Sequence, residues 1–554
     1  MRKKLICILA AITLVCGVFA VYPSIAEATA NFKDLNQKQI VAAMGPGWNL
    51  GNQLESVNNQ TPEETNWGNP VITEALIKKV KKAGFKSIRI PVSYFSKIDD
   101  NNGYKIDSAW LDRVQQVVDY CIKNDLYVVI NIHGDGYNTI DGGWLLCNSD
   151  NQATIKKKYR AVWKQIATRF KDYNEHLLFE SMNEEFDGTY STPNKEYYEN
   201  INAYNQIFVD TVRKTGGNNT KRWLIIPGWN TNIDYTVGDY GFQIPTDKYR
   251  AKSISKKEQR IMISVHYYDP WDFCGGENGV ITQWGREAKD ASKTATSCGE
   301  TYMENQFAKL KQSFIDKGYP VFVGEYGAID KSLDDSESEY YRAYFVKKLC
   351  EISKETGCIP MYWDNGYNGK YGFGLFNRTT LSITQPAIID AIMEGYGINV
   401  TKKSKQIPVK LYVSDSYYWT SIQSDNIARV KKNGGTYTLK VRGSKEMLSN
   451  ITTIALKDSS VVQGDETKSA FSNAKVSIKK VVFNGNEYAV RENENDAINK
   501  EQGSFQFELI NKWSEVEPMI QGLGKEDSFS FASSQYKEKE DNVLEVTFDI
   551  WDVY

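Results

Sequence analysis

The feature that most constrains the fold of this 554-residue chain is a series of eight short apolar runs that alternate with helical patterns. The runs are GWNLGN (47–52), FKSIRIPV (85–92), LYVVINIH (126–133), LLFESMNE (177–184), RWLIIPGW (222–229), IMISVHYY (261–268), VFVGEYG (321–327) and IPMYWDN (359–365). Near-continuous apolar runs are typical of parallel strands buried on both faces. The segments between them, such as ITEALIKKVKKAG, are long enough for helical crossovers. The pattern therefore predicts an α/β fold, a (β/α)8 TIM barrel.

Polar side chains suited to catalysis stand at the ends of four of these runs. His133 ends the third run and His266 lies near the end of the sixth, although the whole chain contains only three histidines. Asn183 and Glu184 end the fourth run, and Glu325 lies in the seventh. The carboxyl ends of barrel strands meet at one face, where the active site is built. We therefore expect these five residues to converge on one site.

Glu184 and Glu325 form a pair of acids that would face each other across the barrel mouth. A retaining glycosidase uses two carboxyl groups about 5 to 5.5 Å apart, one as acid/base and one as nucleophile. We expect burial to raise the pKa of Glu184, which makes it the acid/base. Arg89 and Tyr268 should keep Glu325 ionised as the nucleophile. Asn183 is placed to bind the sugar 2-hydroxyl.

The same residues carry a resemblance to a known family. The ordered set resembles glycoside hydrolase family 5, which contains many secreted endoglucanases, over roughly residues 40 to 398. The resemblance implies that the strand-4 glutamate, Glu184, is the acid/base and that the strand-7 glutamate, Glu325, is the nucleophile. The motifs that carry it are GWNLGN, RIPV with Arg89, His133, the Asn183-Glu184 pair, His266-x-Tyr268, GEYG with Glu325, and WDNG with Trp363. The other implied substrate-binding residues are Arg89, His133, Asn183, His266, Tyr268 and Trp363.

One departure from the family pattern follows His133. Many relatives have a second histidine there, whereas this chain has Gly134, which leaves the acid pair intact and bears on contacts with the glycone side. Asp135 is expected to be a loop hydrogen-bond partner, and His176 to be structural. No His, Asp or Glu cluster has a spacing typical of metal ligands, and two-carboxylate chemistry needs no Lewis acid. We therefore expect neither a metal nor another cofactor.

Several tryptophans lie at strand ends or in the loops that follow strands, where flat rings can stack on glucose units. We expect three or four of these to line sugar subsites, with Trp363 the best supported because it closes the eighth run. Trp110 and Trp163 lie in helical patterns and should be packing residues. The candidates are Trp48, Trp144, Trp229, Trp271, Trp284 and Trp363.

The N-terminus has the pattern of a secretory signal peptide. Arg2, Lys3 and Lys4 precede an apolar stretch from residue 5 to about residue 20, and alanines at 26, 28 and 30 offer A-x-A cleavage sites. Residues 1–30 are therefore predicted to be a signal peptide. We expect a secreted monomer that is not held in a membrane after cleavage, because no second long apolar run occurs.

Charge and cysteine content exclude some function classes. The formal net charge is −2, so the chain lacks the basic character that is typical of nucleic-acid-binding domains. Export would permit disulfides, and two local pairs are plausible, but six cysteines allow fifteen connectivities, so free thiols remain open as well. The cysteines after residue 30 are Cys121, Cys147, Cys274, Cys298, Cys350 and Cys358, and the local pairs are Cys274 with Cys298 and Cys350 with Cys358.

A change in composition marks a second domain. A polar segment at 401–408 is the predicted linker, and beyond it come alternating strand-like runs, GTYTLKV, AKVSIKKVVF, GSFQFEL and VLEVTFDIW. We predict a β-sandwich over residues 409–554. A carbohydrate-binding role and a purely structural role both remain open. The aromatic residues that would form a glycan platform are Tyr417, Tyr418, Trp419, Trp513 and Trp551.

These features together predict a secreted retaining endo-β-1,4-glucanase that acts on cellulose or a related β-linked polysaccharide. Xyloglucan, mixed-linkage glucan, mannan and xylan remain open as substrates. A non-catalytic carbohydrate-binding surface protein on the same barrel is the alternative from another class. The presence of Glu184 and Glu325 together with Arg89 and Tyr268 argues against that alternative.

Overall fold

The structure is a computed structural model. It describes residues 32–140, 142–398, 406–415, 421–431, 434–448, 451–459, 474–492, 498–499, 504–508, 519–521, 535–538 and 541–551. The predicted signal peptide, most of the predicted linker and the aromatic residues Tyr417, Tyr418, Trp419 and Trp513 lie outside the described residues.

Eight parallel strands close into a barrel, as the alternating runs predict. Around the barrel the strand order is β1-β8-β7-β6-β5-β4-β3-β2, so each strand lies beside its neighbours in sequence. The (β/α)8 fold is therefore confirmed. The strands are β1 (Gly47–Asn49), β2 (Ser87–Ile90), β3 (Tyr127–Ile130), β4 (Leu177–Glu180), β5 (Leu224–Pro227), β6 (Ile261–Tyr267), β7 (Val321–Tyr326) and β8 (Cys358–Tyr362).

The helices begin and end where short polar residues and glycines allow. The Thr73 side chain accepts from the backbone N–H of Leu76 at the start of α2, and Gly84 ends that helix with a φ of 113°. The helices are α1 (Gln37–Met44), α2 (Glu74–Ala83), α3 (Ser108–Lys123), α4 (Gln152–Arg169), α5 (Lys195–Lys214), α6 (Ile233–Val237), α7 (Trp271–Cys274), α8 (Glu300–Ser313), α9 (Ser338–Thr356), α10 (Pro386–Gly395) and α11 (Lys445–Leu448).

The barrel interior changes from apolar to polar along the strands. Ile40 and Met44 of α1 form a buried apolar cluster with inward-facing residues of the strands. This cluster closes the lower end of the barrel, where the strands begin. Because side chains alternate with period two, residues two positions further along face the same interior. There the side chains become polar, and they form the floor of the upper face, which lies at the carboxyl ends of the strands. Such pairs are Val129 and Asn131, Leu178 and Glu180, and Met262 and Ser264.

The C-terminal residues form two antiparallel sheets that share one apolar core, in agreement with the predicted β-sandwich. One sheet has the order β10-β9-β13-β17-β16, with β11 also paired to β9, and the other has the order β12-β18-β14-β15. The strands are β9 (Ile407–Asp415), β10 (Ser421–Gln423), β11 (Ala428–Val430), β12 (Gly435–Gly443), β13 (Ile451–Asp458), β14 (Lys475–Phe483), β15 (Asn486–Tyr488), β16 (Ile498–Asn499), β17 (Ser504–Glu508) and β18 (Asn542–Trp551).

The second domain begins earlier than predicted and contacts the barrel directly. Pro408 pairs with Arg429 inside the sheet, so the predicted linker over 401–408 is too long at its end. Lys410, which is buried, lies 3.7 Å from Glu339 of α9. Gln423 Nε2 donates to Ser332 Oγ at 3.0 Å. The sandwich therefore packs against the loop and helix that follow β7.

The described part of the chain contains neither of the candidate disulfides. All six cysteines after residue 30 are free thiols, so Cys274 and Cys298 are not joined, nor are Cys350 and Cys358. Among the residues described here, none of the helices combines the length and apolar character that a membrane span requires.

Candidate active site

The upper face of the barrel is organised around one buried arginine. Arg89 on β2 donates through Nε to Glu180 Oε2 at 2.7 Å and through Nη1 to Glu325 Oε1 at 2.8 Å. Nη1 also contacts Asn49 Oδ1 at 3.1 Å, and Nη2 donates to Asn183 Oδ1 at 2.7 Å. A guanidinium has donors only, in a rigid plane. It therefore fixes the positions of four side chains that lie in or just after three strands, β1, β4 and β7.

Two buried residues beneath the site were not identified from the sequence. Glu180, which ends β4, accepts from Arg89, from Asn131 Nδ2 at 3.0 Å and from Ser264 Oγ at 2.8 Å. Asn131 Oδ1 accepts from the backbone N–H of Val92. The available signal was their polarity inside otherwise apolar runs, on the same side of each strand as the catalytic candidates.

The two predicted catalytic glutamates meet on either side of His266. Its Nδ1 lies 2.6 Å from Glu184 Oε1 and 3.6 Å from Glu325 Oε2. Tyr268 OH donates to Glu325 Oε2 at 3.1 Å. His266 Nδ1 and one oxygen of each glutamate all lie within 4.8 Å of one another. The structure thus brings together the acid pair, histidine and tyrosine that the sequence predicted for one site.

Tyr137 is a further residue of the site that the sequence did not reveal. Asn183 Nδ2 donates to the hydroxyl of Tyr137 at 2.7 Å, and that hydroxyl donates to Glu184 Oε2 at 3.2 Å. Tyr137 comes four residues after His133 in the loop that follows β3. Tyrosine is common in this chain, so the residue type alone gave no signal.

Burial raises the pKa of both carboxyl groups, but their other contacts differ. At Glu184 the effect of burial is outweighed by the hydrogen bond and charge of His266, with smaller effects of Tyr137 and Arg89, so the pKa is held below its usual value. At Glu325 burial, opposed by His266 and Arg89 and assisted by the negative charge of Glu184, raises the pKa. The expectation that Glu184 has the raised pKa is wrong for the unliganded protein, because His266 lies closer to Glu184.

His133 is held as a neutral imidazole with one defined tautomer. Burial, with the charges of Arg89 and His266, holds the pKa of His133 well below its usual value. Because the Asn131 oxygen already accepts from the backbone, its Nδ2 is the group that faces His133 Nδ1, at 3.2 Å. The ring proton is therefore on Nε2, where it is free to donate. Trp363 stacks parallel to the imidazole with ring centroids 6.1 Å apart.

Two predicted sugar-stacking tryptophans are packing residues instead. Trp48 is fully buried, and its Nε1 donates to Asp364 Oδ2 at 2.9 Å. Trp229 is 1% exposed and packs against Tyr198. An enclosed ring offers no face to a sugar, so the prediction is wrong for both. Trp284 is buried as well.

Other aromatic rings are exposed in the loops at the carboxyl ends of the strands. Trp271 is 62% exposed and lies edge-on to Tyr268, with ring centroids 6.1 Å apart. Trp363 is half-buried. Trp67, Tyr190 and Tyr367 follow β1, β4 and β8, and they are also exposed. These rings follow strands at the face that carries the acid pair, and Trp271 and Trp363 contact the site through Tyr268 and His133.

The position after His133 has no room for a side chain. A Cβ at Gly134 would lie 2.8 Å from Ser93 Oγ and 3.3 Å from the ring of Phe95. The loop that follows β2 therefore fills the place next to His133. Asp135 in the next position accepts from the backbone N–H groups of residues 94 and 95, as expected of a loop hydrogen-bond partner.

His176 stands apart from the acid pair, as expected. Its ring stacks on Tyr127 with centroids 4.3 Å apart, and Nε2 lies 3.2 Å from Asp125 Oδ1. These residues belong to the lower end of the barrel. His176 is therefore structural.

The structure brings together three possible metal ligands that the spacing of residues in the sequence did not indicate. Sequence spacing gave no metal-ligand cluster, yet Glu184, His266 and Glu325 present three ligand atoms within 4.8 Å of one another. Residues far apart in sequence converge here because three strands end at the same face. His266 already contacts both glutamates, and Glu325 accepts from Arg89, an arrangement that suits proton transfer.

Comparisons with known proteins agree with this geometry. Residues 45–369 match the family model described as Cellulase (glycosyl hydrolase family 5). Endoglucanase A of Paenibacillus barcinonensis is 56% identical over 394 residues, which are 71% of this chain and 98% of that protein. A family 5 xyloglucanase from Paenibacillus pabuli is 59% identical, with a TM-score of 0.64 over 65% of this chain and 100% of that one. A xyloglucan-specific endo-β-1,4-glucanase from Bacteroides ovatus is 37% identical over 67% of this chain and 72% of that protein.

Proposed function

Because the chain belongs to glycosyl hydrolase family 5, we propose that it is a secreted endo-β-1,4-glucanase that hydrolyses its polymer with retention of anomeric configuration. Glu184 is the acid/base and Glu325 is the nucleophile in this proposal. Secretion is supported by the signal-peptide pattern of residues 1–30.

The observation that carries the mechanism is the short distance between the two carboxyl groups. One oxygen of Glu184 and one of Glu325 lie within 4.8 Å of each other, with His266 Nδ1 between them. Retaining glycosidases have carboxyl groups about 5 to 5.5 Å apart, whereas inverting enzymes need about 6.5 to 9.5 Å to admit a water molecule. The spacing favours double displacement.

In the first step Glu325 attacks the anomeric carbon while Glu184 protonates the leaving oxygen. Arg89 holds Glu325 Oε1 and Tyr268 holds Oε2, so the nucleophile has a fixed orientation. The proton must reside on Glu184, and the negative charge of the ionised Glu325 opposes the ionisation of its neighbour. Asn183 has a second amide hydrogen with which to bind the sugar 2-hydroxyl.

In the second step water attacks the glycosyl-enzyme and Glu184 acts as the base. In this intermediate Glu325 is esterified to the sugar and has lost its negative charge. The contacts of Glu184 with His266 and Tyr137 therefore dominate its environment. Both contacts stabilise the carboxylate and lower its pKa. The same group is therefore suited to accept a proton at this stage.

The proposed substrate has a β-1,4-linked glucan backbone. Exposed Trp271, half-buried Trp363 and the rings of the neighbouring loops offer stacking surfaces for successive glucose units. Xyloglucan is the second candidate, because the Paenibacillus pabuli relative at 59% identity is described as a xyloglucanase. The C-terminal sandwich lies beyond the family match, and we assign it an accessory role.

Two assays test this function. Release of reducing ends is measured on carboxymethyl cellulose, xyloglucan, mixed-linkage glucan, glucomannan and xylan, and activity on the glucans with little on xylan is expected. The anomer released first from a soluble oligosaccharide is then identified by proton NMR. An initial β-anomer agrees with retention, and an initial α-anomer would show inversion.

A further inference from the structure

We propose that Tyr137 is a positioning residue for the acid/base, and that its hydroxyl holds the carboxyl group of Glu184 at the end of a hydrogen-bond chain that begins at Arg89. The inference rests on the role proposed above for Glu184. Tyr137 is not among the positions that carry the family resemblance, and it touches the acid directly.

The chain has three links of known length. Arg89 Nη2 donates to Asn183 Oδ1 at 2.7 Å, Asn183 Nδ2 donates to Tyr137 OH at 2.7 Å, and Tyr137 OH donates to Glu184 Oε2 at 3.2 Å. The same guanidinium contacts Glu325 through Nη1. Both carboxyl groups are therefore held from one cation, Glu325 directly and Glu184 through two neutral side chains.

The direction of each link follows from donor and acceptor chemistry. Arg89 can only donate, so the oxygen of the Asn183 amide faces it and the nitrogen faces Tyr137. The Tyr137 oxygen then accepts, which leaves its hydrogen for Glu184. Burial and the charges of Glu184 and Glu325 raise the pKa of Tyr137 well above its usual value, so the hydroxyl stays protonated and remains a donor.

The loop around Tyr137 is held in place independently of Glu184. A Cβ at Gly136 would lie 2.1 Å from Glu185 Oε2, so this turn packs closely against the loop that follows β4. Asp135 Oδ2 accepts from the backbone N–H of Tyr94 at 2.9 Å. The position of Tyr137 is thus set by its own loop, and its hydroxyl orients the carboxyl group of Glu184.

Loss of this hydroxyl has a directional consequence. Tyr137→Phe removes a donor that stabilises the Glu184 carboxylate, so the pKa of Glu184 rises. One hydrogen bond to an ionised group corresponds to a shift of about one pH unit. Because Glu184 has the lower pKa of the pair in the free enzyme, the acidic limb of the kcat/KM profile should move upward by about that amount. The kcat on an unactivated oligosaccharide should fall roughly tenfold because the acid is less well oriented.

The test is a carbon-13 NMR titration of the glutamate carboxyl carbons in full-length protein, with the Glu184 resonance assigned from Glu184→Gln. A higher pKa of Glu184 in Tyr137→Phe is expected, together with the shifted pH profile. An unshifted resonance overturns the inference. This readout needs no turnover, so inactivity of the natural protein on every β-glucan would reject the proposed function and leave the Tyr137 result separate.

A matched control is Tyr94→Phe. Tyr94 is buried nearby, and among the described residues its hydroxyl has no hydrogen-bond partner. Its loss should leave the Glu184 resonance unchanged, and an equal shift there would contradict a specific role for Tyr137. If Tyr137→Phe does not fold, 3,5-difluorotyrosine at position 137 is used instead. That stronger donor should lower the pKa of Glu184, and a rise or no change overturns the inference.

Discussion

His266 Nδ1 lies 2.6 Å from Oε1 of Glu184 and a full ångström further from Glu325 Oε2, at 3.6 Å. This asymmetry separates the two carboxyl groups, and Glu184 is also the more exposed, with 25% of its side chain accessible against 7% for Glu325. The asymmetry stabilises the carboxylate of Glu184 and leaves Glu325 with the higher pKa before substrate binds. The pair must then redistribute one proton when a glucan binds, because the proposed first step needs the proton on Glu184.

The buried carboxylate beneath Arg89 should be essential for activity. Glu180→Gln leaves the size of the side chain unchanged but removes the ion pair with Arg89 Nε, so a buried cation loses one of its two anionic partners. We expect kcat to fall by at least about 100-fold and the unfolding free energy by about 3 kcal/mol. Steady-state kinetics and urea unfolding check both values.

Glu185→Gln is the matched control for that variant. Glu185 is equally buried, but burial raises its pKa well above the usual value, so its surroundings disfavour a carboxylate there. Its replacement should therefore cost much less in activity and stability. Equal losses in the two variants would show that charge on Glu180 is not what matters.

Exposed and buried tryptophans should respond differently to substitution. Trp271→Ala removes an exposed ring beside Tyr268 and should raise KM for polymeric glucan several-fold, with the melting temperature unchanged. Trp48→Phe removes the buried hydrogen bond to Asp364 and should cost about 2 kcal/mol of stability, with KM unchanged. Kinetics and thermal melts together distinguish these effects, and a KM effect confined to Trp48→Phe would contradict the assignment.

Glu55 should make stability depend on pH. Burial, opposed by backbone N–H groups of the same loop and by Arg378, raises the pKa of Glu55 to about 7. The folded state therefore binds the proton more tightly than the unfolded state. This contribution is complete below the unfolded pKa of 4.5 and is lost as the pH rises through about 7.

The expected loss of stability from this group between pH 4.5 and pH 8 is about 3 kcal/mol. Glu55→Gln cannot ionise, so the difference in unfolding free energy between the two proteins should change with pH by that amount. Urea unfolding at pH 4.5 and pH 8 measures it. A difference that does not vary with pH would show that Glu55 does not titrate in this range.

The sandwich should contribute to stability but not to bond cleavage. A chain that ends at Val400 lacks the contacts of Lys410 with Glu339 and of Gln423 with Ser332, so its melting temperature should fall by several degrees. Every residue assigned to catalysis lies in the barrel, so kcat on a short soluble oligosaccharide should be unchanged at a temperature where both forms are folded. A large loss of kcat there would place the domain in the mechanism.

The pattern of apolar runs with polar residues at their carboxyl ends made the barrel and much of the site predictable from the sequence. Apolar runs that end in Glu184, His266 or Glu325 follow from the burial of parallel strands and from the rule that their carboxyl ends share one face. The sequence could not show which way a strand-end ring points, so Trp48 and Trp229 were expected to line sugar subsites.

Contacts between distant strands were also beyond the sequence. The order of the two glutamate pKa values depends on a difference of one ångström in their distances from His266. Tyr137 and Glu180 gain their roles from neighbours on other strands, through Asn183 and Arg89. Such contacts depend on how strands and loops pack, and single residue types do not encode them.

The assignment of Glu325 as nucleophile and Glu184 as acid/base is tested most directly by azide rescue of glycine variants. With an activated β-glycoside, Glu325→Gly should lose hydrolysis and yield an α-glycosyl azide, because azide attacks in place of the missing carboxylate. Glu184→Gly should yield the β-glycosyl azide from the intact glycosyl-enzyme. The α-azide from Glu184→Gly, or unaltered hydrolysis by Glu325→Gly, would contradict the account.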